Sequence, residues 1–222
     1  TLAPDITNTQ LFGMALGLTD DQKANLNQAN GGFASDYNAI KGVSNANNAG
    51  LSNAEAFSLA LGLDDTGRAN LLNAAQMGID ITRLGEAAGA IGLTLTSFEK
   101  SSLALNLSSE GRANLANPTQ MRYDTALVRR AGIETGYDIS VRDAFFIALN
   151  LSSEGRTNLL DINRFKDDMA KLGTALTAAQ ITLEQSEIFR ITIGLTAENR
   201  ANLLDSARLA SDFNILTSAI GL

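Results

Sequence analysis

Residues 96–115 read TSFEKSSLALNLSSEGRANL, and this stretch contains the start and the end of one helix and the start of another. Thr96 and Glu99 form a capping-box pattern, in which two side chains three residues apart satisfy N–H groups of a first helical turn. A short apolar run follows and ends at Leu105-Asn106-Leu107. Ser108 then offers a good N-cap for the next helix. The stretch predicts two short helices joined by a tight corner.

The Leu-Asn-Leu triplet recurs along the chain with Gly or Asn at its centre. Successive copies are separated by 45, 44, 44 and 44 residues. The copies are Leu16-Gly17-Leu18, Leu61-Gly62-Leu63, Leu105-Asn106-Leu107, Leu149-Asn150-Leu151 and Ile193-Gly194-Leu195. A period of this length indicates stacked units that bury their apolar faces on their neighbours. We predict five units, at about residues 1–50, 51–94, 95–138, 139–182 and 183–222.

Each unit is predicted to contain two or three helices. Helix A, nine or ten residues long, precedes the triplet. The central Gly or Asn of the triplet favours the left-handed conformation that commonly ends a helix. Helix B begins three residues after the start of the triplet, behind the N-caps Thr19, Asp64, Ser108, Ser152 and Thr196. Pro118 and the pair Gly31-Gly32 predict a second break, and then a helix C at about residues 120–131 and a link from Gly132 to Ile139.

The start of helix A has a capping-box pattern in four of the five units. The pairs are Thr7 with Gln10, Ser52 with Glu55, Thr96 with Glu99, and Ser140 with Asp143. In the fifth unit Glu184 occupies the N-cap position, so we expect Thr182 with Gln185 to cap the helix two residues earlier. Because the alternation typical of strands is nearly absent, we predict an all-α fold. It would be a single tandem repeat array over residues 1–222, an elongated or superhelical stack.

A polar set recurs in register with the triplets. It consists of a base, an Asn and an Asp in each unit: Lys23, Arg68, Arg112, Arg156 and Arg200; Asn25, Asn70, Asn114, Asn158 and Asn202; Asp36, Asp80, Asp124, Asp168 and Asp212. In the last four units the base and the Asp are 12 residues apart, about 120° out of phase on a straight helix. We therefore expect them to pair across a helix break or between neighbouring units, with the Asn capping a turn. The alternative is a ladder of identical ligand or ion sites.

Composition argues against catalysis and against several partners. The chain has no Cys and no His, which removes thiol chemistry, the commonest general base and the commonest metal ligand. We therefore predict that it is not an enzyme and has no catalytic, cofactor-binding or metal-binding residues. The net charge of −7 disfavours nucleic acid, and no apolar run is long enough for a membrane span. The acidic composition leaves calcium as an alternative, although the EF-hand spacing is missing.

An aromatic residue lies four residues before the triplet in four units: Phe12, Phe57, Phe145 and Phe189. Ser101 interrupts the series. We expect these rings to pack in the core, because a phenyl ring at a fixed position of an amphipathic helix is usually buried.

The two ends of the sequence match. Residues 219–222 joined to residues 1–2 would read like the internal residues 90–95. The chain begins with Thr, so we expect a processed protein or a segment of a longer array. Three arrangements are open: a slice of a longer covalent array, separate chains stacked into a filament, or a closed ring. The apolar C-terminal end favours the first two, because the terminal units of a solenoid usually have polar outer faces.

These observations predict a structural building block of an extracellular or cell-surface assembly, such as a filament, a surface layer or an adhesin-like stalk. Its partner would be itself, either as a homopolymer or as adjacent copies in a longer chain. The acidic, Cys-free composition, rich in Asn, Ala, Gly and Thr, is typical of secreted and surface proteins of bacteria. The alternative is a helical-repeat binding module that presents a groove to a protein or glycan ligand.

Overall fold

The computed structural model describes residues 6–27 and 32–220, and within these residues the protein is all-α, with 15 helices and no strand. The helices are α1 Asn8–Leu16, α2 Asp20–Leu26, α3 Gly32–Ala46, α4 Asn53–Leu61, α5 Asp65–Leu71, α6 Ala74–Gly89, α7 Ser97–Leu105, α8 Ser109–Leu115, α9 Pro118–Thr135, α10 Val141–Leu149, α11 Ser153–Leu160, α12 Ile162–Ala178, α13 Gln185–Ile193, α14 Ala197–Leu203 and α15 Ser206–Ile220. The predicted all-α class is confirmed. None of the described helices is both long enough and apolar enough to cross a membrane.

Helix lengths repeat in groups of three along the chain. α1, α4, α7, α10 and α13, which correspond to helix A, have nine residues each. The helices that follow them, corresponding to helix B, have seven or eight residues. The third helices, corresponding to helix C, have 15 to 18 residues. The second break is therefore present, and α9 begins at Pro118, a residue whose fixed φ suits a first helical position.

The helix that follows Glu184 corrects the expectation for the fifth unit. α13 begins at Gln185 with Glu184 as its N-cap, so the start is not shifted to Thr182. The carboxylate of Glu187 accepts the backbone N–H of Glu184 at 2.8 Å. This reverse half of a capping box satisfies the orphan N–H without a Ser or Thr hydroxyl, and the helix keeps its register.

The corner between the first and second helix is not left-handed, contrary to the expectation. The central residues of the triplets have φ between −83° and −105°. Their N–H groups donate to carbonyls three or four residues back, and the next helix starts at once behind its N-cap. A negative φ is open to any L-residue, which explains why Asn106 and Asn150 replace Gly here.

Left-handed residues lie instead at the ends of the long helices. Besides Gly50, at φ 66°, they are Asn48, Gly92, Gly136 and Gln180, which have φ between 51° and 74° and are separated by 44 residues. The residue after each of these four donates its N–H to the carbonyl five residues back, as in a Schellman motif. The predicted link from Gly132 to Ile139 is therefore too long. Gly132 lies inside α9, where a Cβ would come within 2.6 Å of Cγ2 of Ile139, so the glycine serves close packing.

The chain divides into two compact units, Thr1–Pro118 and Thr119–Leu222. In the first, Phe33 and Phe57 pack edge to face with ring centroids 4.9 Å apart. In the second, Phe165 and Phe189 do the same at 5.3 Å, within a cluster that includes Leu159 and Ile193. Both aromatic pairs join a long helix to the nine-residue helix that follows it. The single array over residues 1–222 stays a prediction.

Burial falls off in the first and last helices. Phe145 and Phe189 are fully buried as expected, but Phe12 on α1 is 67% exposed, so the core prediction is wrong for it. Neither α1 nor α2 contains a buried residue. The predicted match of the chain ends involves residues 1–2 and 221–222, and the proposed break at Gly31 adjoins residues 28–30. All of these lie outside the described residues.

Candidate functional site

Four of the five recurring aspartates lie on the buried sides of the long helices. Asp80 and Asp124 are completely buried, and Asp168 is 3% exposed. The side chain of Asp36 is 15% exposed. A carboxylate that is removed from water must be paired and hydrogen-bonded, because its desolvation is otherwise very unfavourable. Each of these four carboxylates therefore needs a positively charged partner.

That partner is the arginine 32 residues further along the chain. The Nε of each arginine donates to Oδ2 of the aspartate: Arg68 to Asp36 at 3.0 Å, Arg112 to Asp80 at 2.7 Å, Arg156 to Asp124 at 2.8 Å, and Arg200 to Asp168 at 2.7 Å. The two residues of a pair belong to different 44-residue segments. The base and the Asp of the same segment do not pair in these four cases, which agrees with their phase difference along the sequence.

The recurring asparagines bind the corner of the following segment. Nδ2 of Asn25 donates to the carbonyls of Leu61 and Leu63 at 2.9 and 3.0 Å. Nδ2 of Asn158 donates to the carbonyls of Ile193 and Leu195 at 2.8 and 2.9 Å. These carbonyls lie at the end of a helix, where no intrahelical donor is available. The asparagine thus caps a turn, but the turn belongs to the next segment.

The same asparagines also accept from the arginines. Nη2 of Arg112 donates to Oδ1 of Asn70 at 2.7 Å, while Nδ2 of Asn70 donates to the carbonyl of Leu105 at 2.6 Å. Arg68 donates to Asn25 at 3.0 Å, and Arg200 donates to Asn158 in the same way. One guanidinium therefore bridges the Asn and the Asp of the preceding segment. We call this arrangement the Asn–Arg–Asp contact.

Three Asn–Arg–Asp contacts are complete within the two units: Asn25–Arg68–Asp36, Asn70–Arg112–Asp80 and Asn158–Arg200–Asp168. Arg156 and Asp124 form an equivalent ion pair within the second unit. Glutamines one helical turn before two of the aspartates fill the second carboxylate oxygen: Gln76 donates to Asp80 at 2.9 Å and Gln120 to Asp124 at 2.8 Å.

The contact pairs the charges of the arginine and the aspartate and occupies the Nε and Nη2 donors of the arginine. The guanidinium is held by a carboxylate and an amide, and the amide is held by backbone carbonyls. Such a network fixes the relative position of two helical segments, because a bidentate arginine fork demands a defined geometry. Among the described residues, no three acidic side chains converge in a group that could hold a metal ion.

The first and last members of the polar set are differently placed. Lys23 is bound to Asp20 at 2.7 Å in a surface pair of side chains that are 55% and 97% exposed. Asp212 is paired only loosely with Arg208 on its own helix, at 3.8 Å. Asn202 is exposed and lines a shallow cleft with Leu203 and Leu209. The structure brings none of these three into an Asn–Arg–Asp contact.

The sequence analysis identified the polar set but missed two groups that belong with it. The corner carbonyls carry no side-chain signal, so only the structure could reveal them. The glutamines were visible one turn before Asp80 and Asp124, but Gly32, Arg164 and Arg208 occupy the matching positions elsewhere. The left-handed positions were equally hidden, because two of them are occupied by Asn48 and Gln180 rather than by Gly.

Comparison of the chain with protein-family models, with curated proteins and with solved structures gave no match. The interpretation of the site therefore rests on the geometry of the Asn–Arg–Asp contact.

Proposed function

We propose that this chain is a structural building block of an extracellular or cell-surface assembly such as a filament, a surface layer or a stalk. It would be a tandem array of five helical units, stacked by repeated nearest-neighbour contacts. The observation that carries the proposal is the Asn–Arg–Asp contact, which links one 44-residue segment to the next with the same donors and acceptors.

The contact supports a structural function because its polar groups bind one segment to the next. The stability of a stacked array is the sum of unit terms and neighbour terms, so a strong and specific neighbour contact gives stiffness along the stack. The buried Asp80, Asp124 and Asp168 are each bound by an arginine. A carboxylate held in this way is poorly suited to proton transfer with a substrate, which supports a role without catalysis.

The extracellular location is supported by composition. The chain is acidic and has no Cys, so it needs neither a reducing compartment nor disulfides to hold its folded state. Its stability would come from packing and from the buried polar contacts. Immunolabelling of intact cells of the source organism would test the location directly, and labelling only after cell lysis would contradict it.

Assembly is tested by sedimentation velocity and negative-stain electron microscopy over a wide range of protein concentration. We expect species of increasing length whose width stays constant, because an end-to-end stack grows in one direction. Amorphous aggregates would show length and width growing together. A strictly monomeric rod at every concentration would contradict a homopolymer of this chain.

A further inference from the structure

The first helix presents an apolar stripe that its counterpart in the second unit buries. Leu11, Phe12 and Leu16 on α1 are 42%, 67% and 76% exposed. The residues at the same positions of α13 are Ile188, Phe189 and Ile193. Phe189 is 0% exposed and Ile193 is 8% exposed, because both lie in a buried cluster that includes Phe165 of α12 and Leu159 of α11. The stripe on α1 therefore has the residue types of a helix face that, on α13, is packed against other helices.

The last helix presents the complementary stripe. Leu209, Phe213 and Leu216 on α15 occupy the positions of Phe165, Met169 and Leu172 on α12. On α12, Phe165 meets Phe189 of α13 edge to face, Met169 packs against the same cluster, and Leu172 belongs to a cluster against which Ile188 of α13 packs. On α15, Phe213 is 36% exposed and Leu216 is 65% exposed, while Leu209 is partly buried against a cluster that contains Leu172 and Leu203.

A cleft adjoins the stripe on α15. Its volume is ≈ 230 Å³, and it lies between α12 and α15 with Leu172, Leu176, Phe213 and Leu216 in its wall. The wall is almost entirely apolar. Exposed apolar surface of this extent on a soluble chain commonly marks a protein interface.

The polar members of the set match in the same way. Asn202 and Asp212 are the counterparts of Asn158 and Asp168, which bind Arg200. Lys23 is the counterpart of Arg200, and the carbonyls of Leu16 and Leu18 are the counterparts of those that Asn158 binds. A negative Asp212 and a positive Lys23 are complementary in charge, and each is paired with an exposed residue of its own helix.

We propose that the α15 face of one copy docks on the α1 face of a second copy of this chain. The joint reproduces the packing of α12 on α13, with Phe12 and Leu16 against Leu209, Phe213 and Leu216. Lys23 binds Asp212, and Asn202 binds the carbonyls of Leu16 and Leu18. This inference rests on the proposed structural function and names its contact surfaces.

A second copy fits these faces better than an unrelated partner because the chain already contains the same interface. Each element of the joint has an internal precedent at the same positions, both apolar and polar. Lys23 takes the place of the arginine, and a lysine is a point charge that cannot bind Asp and Asn together as the arginine fork does. The joint between copies is therefore weaker than the interior contacts, which makes assembly reversible.

Zero-length carbodiimide crosslinking of a mixture of unlabelled and ¹⁵N-labelled protein tests the joint. The reagent couples an amine to a carboxylate only when they are in contact, so we expect a Lys23–Asp212 crosslinked peptide of mixed isotope content. Lys166 and Glu134, which are 2.9 Å apart in one chain, provide the positive control. A Lys23–Asp212 crosslink found only in peptides of uniform isotope content would mean closure within one chain and would overturn the proposal.

Variants separate the proposed surfaces from general effects on solubility. Phe12→Ser should weaken assembly about 100-fold, as expected for a central aromatic anchor. Ile133→Ser is the control, because Ile133 is 70% exposed on α9 and lies outside both faces. Lys23→Glu and Asp212→Lys should each weaken assembly about tenfold, and the double variant, with the wild-type net charge, should restore it. Glu198→Gln, an exposed residue of α14, controls for loss of a carboxylate.

The outcomes distinguish this proposal from the function on which it rests. If the wild type does not assemble, both fail. If the wild type assembles, but Phe12→Ser behaves like Ile133→Ser and no Lys23–Asp212 crosslink forms, the assembly uses other surfaces. The docking proposal is then overturned while the structural function stands.

Discussion

Asp80 and Arg112 should be energetically coupled, although 32 residues separate them in the sequence. The side chain of Asp80 is 1% exposed, and its Oδ2 lies 2.7 Å from Nε of Arg112. Asp80→Ala removes the acceptor of the Arg112 Nε–H and of the Gln76 amide. Arg112→Ala leaves a buried carboxylate with only the glutamine. Each change therefore strands a polar group in a low-dielectric environment.

The size of the effect follows from burial. Removing one member of a fully buried ion pair lowers the free energy of unfolding by about 3–5 kcal/mol. The side chain of Arg112 is 27% exposed, so water can reach part of the guanidinium after the aspartate is removed. We expect a loss of about 2–3 kcal/mol for each single variant. The coupling energy in a double-mutant cycle should be about 1.5–3 kcal/mol, since the pair is a charge-assisted hydrogen bond.

The assay is urea unfolding followed by far-UV circular dichroism, with hydrogen exchange of α6 and α8 to locate the change. A second cycle with Asp80 and Arg68 is the matched control. Arg68 belongs to the same 44-residue segment as Asp80 but binds Asp36 at 3.0 Å. That cycle should be additive within about 0.5 kcal/mol. Additivity for Asp80 and Arg112, or equal coupling in the two cycles, would refute the pairing between segments.

Three further changes test other features of the fold. Gly132→Ala should lower the free energy of unfolding by about 1–3 kcal/mol in urea titration, because the added methyl would overlap its neighbours. Gly62→Ala is the control and should not destabilise the protein, because no atom lies closer than 4.0 Å to the added methyl. Gln180→Gly should raise the free energy of unfolding by about 0.5–1 kcal/mol, because Gln180 has a φ of 58° and glycine adopts positive φ without strain. The midpoint of thermal unfolding should rise accordingly, and a lowered midpoint would contradict this. The hydrogen bond from Lys166 lowers the pKa of Glu134, so NMR titration of Lys166→Gln should show this pKa rising. The stabilisation from this pair is present at neutral pH and is lost as the pH falls through the folded-state pKa of Glu134.

Local signals in the sequence predicted the helices well. The N-caps Thr19, Asp64 and Ser108 each precede a helix that begins at the next residue. Capping is a contact between residues three apart, so it can be read directly from the sequence. The prediction of a left-handed residue at the corner was wrong, because it rested on residue type alone. Gly and Asn at the centre of the triplet are compatible with positive φ, but the N-cap two residues later starts the next helix from a negative φ.

The sequence was enough to predict which residues form the candidate site, but not which of them bind one another. Recurrence at 44 residues was enough to select Arg112, Asp80 and Asn70 as one set. It could not assign Asp80 to Arg112 rather than to Arg68, because both lie in register with it. Helix phase argued only against a partner on the same straight helix. The choice depends on which helices pack together, and that is a long-range property.

Phe12 and Phe189 show where sequence and tertiary structure divide. The sequence by itself determined the all-α class, the helix starts and the repeated polar set, because these depend on hydrogen bonds and periodicities within a few residues. Only the tertiary structure decided which equivalent residue is buried: Phe189 packs on α12, while Phe12, at the same position of its helix, is 67% exposed. Burial requires a neighbouring surface, and residues at equivalent positions of the sequence meet different surroundings at different places in the chain.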